Sequence, residues 1–274
     1  MSENLIVEKR NSVAIVTLNR PEVRNAFDDT LIANLTAALR ELDAEDGVRV
    51  VVLAGAGKAF CAGADLNWMK RMAGYSYEDN LRDASALAEM LKTLDRLSKP
   101  TIARVHGPAY AGGVGLVAAC DIAIGSHQAE FCLTEVKLGL SPATISPYVV
   151  RAMGERLARR YFLTGEIIDS GEAYRLRLLS DVCVPEELDG TINALLGHLV
   201  IGGREAQRQI KDLVRAVAAR PADDALIADT AKRIAEIRVS PEGREGIGSF
   251  LAKRKPSWIR EFEAVRVKPP RKKK

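Results

Sequence analysis

Residues 101–125 read TIARVHGPAYAGGVGLVAACDIAIG, from Thr101 to Gly125. An apolar run at Thr101–Val105 meets a Gly-Pro turn, a short Gly-started segment follows at 112–120, and Ile122–Gly125 is apolar again, which predicts strand, helix, strand. The same alternation lies upstream. Val13–Leu18 is a strand stopped by Asn19-Arg20-Pro21, and Asp28 or Asp29 is placed to cap a helix with Leu31, Leu35, Leu39 and Leu42 on one face. Val48–Leu53 is then a buried strand, and a helix is expected over about 77–97. Strands separated by helices predict an α/β fold with largely parallel pairing. After residue 200 the pattern is helical only, with Leu213, Val214 and Val217 in one helix and Leu226, Ile227, Ile234 and Ile237 in another. The expected organisation is therefore a core over 1–200, a helical region over 201–260 that packs on the core or on a second subunit, and a disordered basic tail over 261–274.

Composition narrows the class. Of 274 residues, 47% are apolar and only 5% aromatic, so a core built from Ala, Val, Leu and Ile is expected and a disordered chain is excluded. No apolar run reaches the ~18–20 residues of a bilayer-spanning helix and the N-terminus does not read as a signal peptide, which predicts a cytoplasmic protein with no membrane partner. The formal charge of +4 belongs to the end of the chain, because the last ten residues, VRVKPPRKKK, hold six of the 40 basic residues and no acid. Without them the balance is slightly acidic. No aromatic residue interrupts that tail to stack on a base, so no nucleic-acid partner is expected. Cys61, Cys120, Cys132 and Cys183 have neither zinc-ligand nor disulfide spacing, and no metal site is expected.

Three near-motifs fail on context. Gly113–Ala118 fits GxGxxA, but Gly107-Pro108-Ala109-Tyr110 separates it from its strand. Gly139–Ala143 resembles a nucleophile elbow, yet Pro142 stands where a backbone N–H must complete the oxyanion hole. Gly55–Ala59 lacks the remaining residues of a phosphate loop and reads as a turn. What remains is a pair of glycine-containing loops that each open a helix: Lys58–Leu66 after one strand and Tyr110–Gly113 after the next. Helix starts present unpaired N–H groups, and two of them converging would stabilise negative charge on a carbonyl oxygen. Spacing alone favours the plainer role of tight turns and close packing.

A resemblance changes that weighting. Asn19-Arg20-Pro21 with Arg24-Asn25-Ala26, Ala59–Leu66, Lys99–Ala103 with Gly107, Gly112-Gly113 and Cys120–Ala123, Phe131, Glu135–Leu140 and Glu242–Gly246 with Phe250 and Lys253–Pro256 resemble the crotonase superfamily, the enoyl-CoA hydratase/isomerase family, in order over residues 5–258. Asn67-Trp68-Met69, Ser141–Tyr148 and Gly154-Glu155-Arg156 look most like its methylglutaconyl-CoA and isohexenylglutaconyl-CoA hydratases. The resemblance implies a ββα spiral core, a helical C-terminal trimerisation region, and a homotrimer or hexamer built as a dimer of trimers.

It also implies roles. The N–H groups of Ala64 and Gly112 would hold the thioester oxygen, and Asp65 would cap the following helix. Coenzyme A, which enters as part of the acyl-CoA thioester substrate and not as a cofactor, would lie along the backbone of Arg24, Asn25 and Ala26 and of Ala62, Gly63 and Ala64, with Arg24 and Lys253 as phosphate contacts. Leu66, Trp68, Gly113, Gly115, Leu140 and Thr144 would complete the substrate site. Family hydratases use two glutamates; the second matches Glu135, whereas the first position is Gly115. Glu135 sits in an apolar stretch, where burial would raise its pKa toward that of a working acid/base. Hydration of an enoyl-CoA is the expected activity. A double-bond isomerase using Glu135 alone, and a non-catalytic or RNA-binding homologue, are the alternatives.

Overall fold

The computed structural model describes residues 3–259, 263–265 and 267. A hairpin of β1 (Leu5–Arg10) and β2 (Val13–Leu18) leads through α1 (Asp29–Ala44) to β3 (Val50–Gly55). Helices α2 (Leu66–Met72) and α3 (Tyr77–Arg96) lead to β4 (Thr101–Val105), and β5 (Ala109–Tyr110) with α4 (Gly112–Ala119) leads to β6 (Ile122–Ser126). Then come β7 (Glu130–Cys132), α5 (Ser146–Met153), α6 (Glu155–Thr164), β8 (Ile168–Asp169), α7 (Ser170–Arg175) and β9 (Asp181–Cys183). Among the described residues four further helices follow: α8 (Leu188–Val200), α9 (Arg204–Val217), α10 (Asp224–Val239) and α11 (Pro241–Leu251). None of the helices among the described residues is long and apolar enough to cross a membrane.

The main sheet has the order β1-β2-β3-β4-β6-β9, parallel throughout except for the β1–β2 hairpin. Its central strands are buried on both faces, as their largely apolar sequences require, and the exception Arg104 in β4 is paired with Asp189 at 2.7 Å. Alternation sorts them. Ala14, Val16, Val51, Leu53, Ala103 and Val105 point into a core completed by α1, α3 and α4, while Val13, Ile15, Val50, Val52, Ile102 and Ile124 point into a second core under Leu188, Ile192, Leu196 and Val200 of α8. The first cap expected from sequence is made by Asp28, whose carboxylate accepts the Leu31 N–H at 2.8 Å. At the other end of α1, buried Lys99 donates to the carbonyls of Leu42 and Glu45, matching a cation to the negative end of the helix.

The span read as a tail is corrected in part. Val265 and Val267 are buried in the second core, and Asn193 of α8 clasps Val265 by exchanging hydrogen bonds of 2.8 and 3.0 Å with its N–H and carbonyl. The Lys and Arg residues around these valines masked a two-residue apolar period; Lys268–Lys274 lie outside the described residues. The helical region is tied to the core by polar contacts, from Arg49 to the Gly202 carbonyl (2.6 Å) and from Lys211 to Asp121 (2.7 Å). Its apolar side chains Ile210, Val214, Ile227, Ile234, Ile247 and Phe250 are exposed.

Candidate active site

The site lies where β3 and β4 end. Asn25, fully buried, uses its amide N–H groups on the carbonyls of Ala56, Ala59 and Phe60 and its oxygen on the Arg20 N–H, so it stitches the loop before α1 to the loop after β3. Beyond this point the chain makes two isolated parallel bridges, Phe27 with Ala64 and Cys61 with Ala109. The first uses the Gly63 carbonyl and the Asp65 N–H, both bonded to Phe27 at 2.7 and 2.8 Å. Ala64's own N–H consequently points to the opposite side.

The two loops touch. A Cβ on Gly113 would lie 2.4 Å from the Cys61 carbonyl oxygen, so only glycine allows α4 to approach this closely. Gly63, at φ +87°, lies against Tyr110 and Ala111 in the same way. Ala111 itself has φ +47° and ψ −118°, a backbone conformation costly for any residue with a side chain. It is held there from both sides, its N–H donating to Cys132 and its carbonyl accepting from Val114, and it turns the chain into Gly112 at the start of α4. Neither the Ala64 N–H nor the Gly112 N–H has a hydrogen-bond partner among the described residues. Two unpaired backbone donors on contacting loops are the material of an oxyanion hole.

Glu135 is carried to the same end by the small sheet. β7 runs parallel to β5, pairing Ala109 with Phe131 and Tyr110 with Cys132, so the turn Thr134–Leu138 that carries Glu135 leaves the same end as Gly112. The carboxyl is half-buried, and burial, larger than the opposing bond from its own backbone N–H, raises its pKa above 4.5. Its Oε2 is buried with no hydrogen-bond partner. A buried carboxylate oxygen left unpaired costs stability, and functional sites are where such atoms are kept. Asp65, by contrast, is committed: it accepts the N–H groups of Asn67 and Trp68 and pairs with Arg20 at 2.9 Å. Burial raises its pKa, but these three donors outweigh burial and hold it below 3.8.

Several expected substrate residues have side chains engaged within the fold. The Asn25 side chain is saturated as described. Trp68 is buried, with its indole N–H on Asp83 at 3.2 Å. Gly113 is buried against Cys61. Gly115 is buried under Ile145, whose Cγ2 lies 2.3 Å from where a Cβ would stand, so the position lacking the first glutamate is occupied by hydrocarbon. Arg24 is exposed at φ +55° beside the half-buried Ala62; Ala26 is buried, its carbonyl taken by Arg20. Leu66 and Leu140 are exposed and Thr144 is half-buried. No hydrogen bond or ion pair among the described residues brings exposed Lys253 to the loops. Arg20, Ala111 and Ile145 are the participants that sequence reasoning missed; each is legible only once the loops are placed together.

The parallel α/β core thus brings two contacting loops with unpaired N–H groups and a turn carrying a buried, unpaired carboxylate oxygen to one end of its sheets. Residues 8–261 match the enoyl-CoA hydratase/isomerase family; the chain belongs to it and has the crotonase fold. A crystal structure of an enoyl-CoA hydratase from Shewanella pealeana superposes with a TM-score of 0.91 at 40% identity, covering 93% of this chain and 96% of that one. Pseudomonas aeruginosa AtuE superposes at 0.88 with 34% identity, covering 93% and 99%. A crotonyl-CoA hydratase of Syntrophomonas wolfei is 29% identical over 94% of this chain and 98% of its own.

Proposed function

We propose that this protein hydrates the 2,3 double bond of an enoyl-CoA, with a branched glutaconyl-CoA as the substrate class favoured by the resemblance of residues 67–69 and 141–148. The observation that carries the reading is the unpaired, buried Oε2 of Glu135, on the turn that leaves the small sheet at the same end as Gly112, together with the unpaired N–H groups of Ala64 and Gly112. The Glu135 carboxylate takes a proton from water as the water oxygen bonds to C3. The π electrons of C2=C3 move to form the enolate, whose charge rests on the thioester oxygen between the two N–H groups. C2 then takes the proton from Glu135, the carbonyl re-forms and the carboxylate is restored. One water is added and nothing else is consumed, so the chemistry asks only for enolate stabilisation and one proton carrier.

Glycine at position 115 supports a second reading, double-bond isomerisation, in which Glu135 removes a proton from C2 of a 3-enoyl-CoA and returns it to C4. Crotonyl-CoA, 3-methylglutaconyl-CoA and a 3-enoyl-CoA assayed in parallel by absorbance separate the two. Turnover of the 3-enoyl thioester alone refutes hydration. The exposed apolar residues of α9–α11 support assembly as a trimer or a dimer of trimers, which light scattering tests. A monomer at micromolar concentration refutes it.

A further inference from the structure

We infer that Ile145 is the specificity-determining residue that keeps this a one-carboxylate site, by closing with hydrocarbon the volume that a side chain at position 115 would need. The inference rests on the assignment of Glu135 made above. Gly115 lies three residues after Gly112 in α4, so it faces the same side one turn further along the helix. A Cβ built there meets Ile145 at Cγ2 (2.3 Å) and Cβ (2.8 Å), and the next atom, Leu91 Cδ2, is 3.6 Å away. Ile145 is 1% exposed and belongs to the main core, at the position that opens α5, and cannot swing into solvent without leaving a void. Position 115 is therefore held as glycine by Ile145, and the two residues act as a pair.

The pair has a chemical consequence. Neither α4 nor Ile145 offers a side chain able to give or take a proton next to Gly112, so in this site water and C2 both exchange protons through Glu135. Ile145 also limits where water can stand. Removing its side chain gives water a second place to sit, out of line with C3, and leaves the C2 proton and Glu135 where they were. Misplacement of a reacting group by about 1 Å costs up to about 100-fold.

Two experiments test this, each read beside acetoacetyl-CoA binding by calorimetry and thermal melting. In Ile145→Ala, hydration kcat is expected to fall about 10- to 100-fold with KM little changed, while exchange of the C2 protons of a saturated acyl-CoA in deuterium oxide stays within about twofold of the native rate. Loss of packing alone lowers both rates together, and that result overturns the inference, as does unchanged kcat. In the second, Glu135→Gln abolishes C2 exchange, and adding Gly115→Glu with Ile145→Ala restores it, whereas Gly115→Glu without Ile145→Ala melts at lower temperature and restores nothing. A folded triple variant that binds thioester but never exchanges overturns the inference. If that triple variant does not fold, the Ile145→Ala split between hydration and exchange decides alone. Native protein that fails to bind acetoacetyl-CoA at all refutes the proposed function instead, so the two failures are distinguishable.

Discussion

Replacing Glu135 by glutamine should move activity and stability in opposite directions. The amide keeps the shape but accepts no proton at neutral pH, and loss of a general acid/base is worth about 10²–10⁴-fold in kcat. With no second carboxylate on α4 to take over, the larger figure is expected. Stability follows from the same atom. Oε2 is buried and unpaired, and burial places the folded pKa above 4.5. A raised folded pKa means that the native state binds this proton more tightly than the unfolded chain does. The carboxyl therefore supports the fold below about pH 4.5 and loses that support as pH rises through the folded value. At neutral pH the ionised group is a liability on the order of 1 kcal/mol, the scale of a buried polar atom without a partner, which for a chain of this size is about 2–4 °C in Tm. Glu135→Gln should melt above the native protein at pH 7 and the two curves should converge toward pH 4. Calorimetric melts across that range, with hydration followed by loss of enoyl absorbance, check both halves. A variant that melts lower at pH 7, or that keeps more than about a tenth of native turnover, refutes the reasoning.

Other perturbations probe the scaffold. Ala111→Gly removes the clash of a Cβ at φ +47°, and relief of about 1–3 kcal/mol of strain outweighs the entropy that glycine adds to the unfolded chain; Tm should rise, and a fall refutes the strained geometry. Asp65→Asn keeps an N-cap acceptor but loses the charge paired with Arg20. Because the native carboxyl titrates below 3.8, the stability it confers is present above that pH and is lost as pH falls through the lower folded value. The variant should accordingly be less stable at pH 7 and match the native protein in strong acid, as urea titrations at both pH values would report. Val265→Ala combined with Val267→Ala deletes four buried carbons, about 3 kcal/mol, and an unchanged urea midpoint would mean that the second core does not depend on them.

Strands β2, β3, β4 and β6 were legible because each is a buried run bounded by Pro, Gly or a capping acid, and the strand read at Val48–Leu53 forms two residues later, at Val50–Gly55; β1 and β9, at the edges of the main sheet, were not read. The small sheet was not, since β5, β7 and β8 are two or three residues long and carry no measurable period. At the site, Glu135, Ala64 and Gly112 were reached through a family pattern; their neighbours were not. Gly113 and Gly115 matched the dinucleotide spacing GxGxxA, yet both sit inside α4, where one admits the Cys61 carbonyl and the other Ile145. No local signal ties position 115 to an isoleucine thirty residues on. Asn25 and Trp68 were placed along the substrate by the family pattern, and only the placement of Ala56, Ala59 and Asp83 shows where their side-chain polar atoms go.

The clasp of Asn193 on Val265, together with the bond from the Asn11 side chain to the Glu263 carbonyl, joins the two ends of the chain across 252 positions. A protein made from its N-terminus has Val13, Ile15, Val50 and Val52 in hand early, whereas their cover arrives with residues 188–200 and then 265–267. During synthesis the sheet therefore stands with one face closed and the other bare, and ordinary elongation of about 5–20 residues per second leaves it so for several seconds or more. Until the last segment is released, the nascent chain is a client for whatever shields apolar strands in the cell.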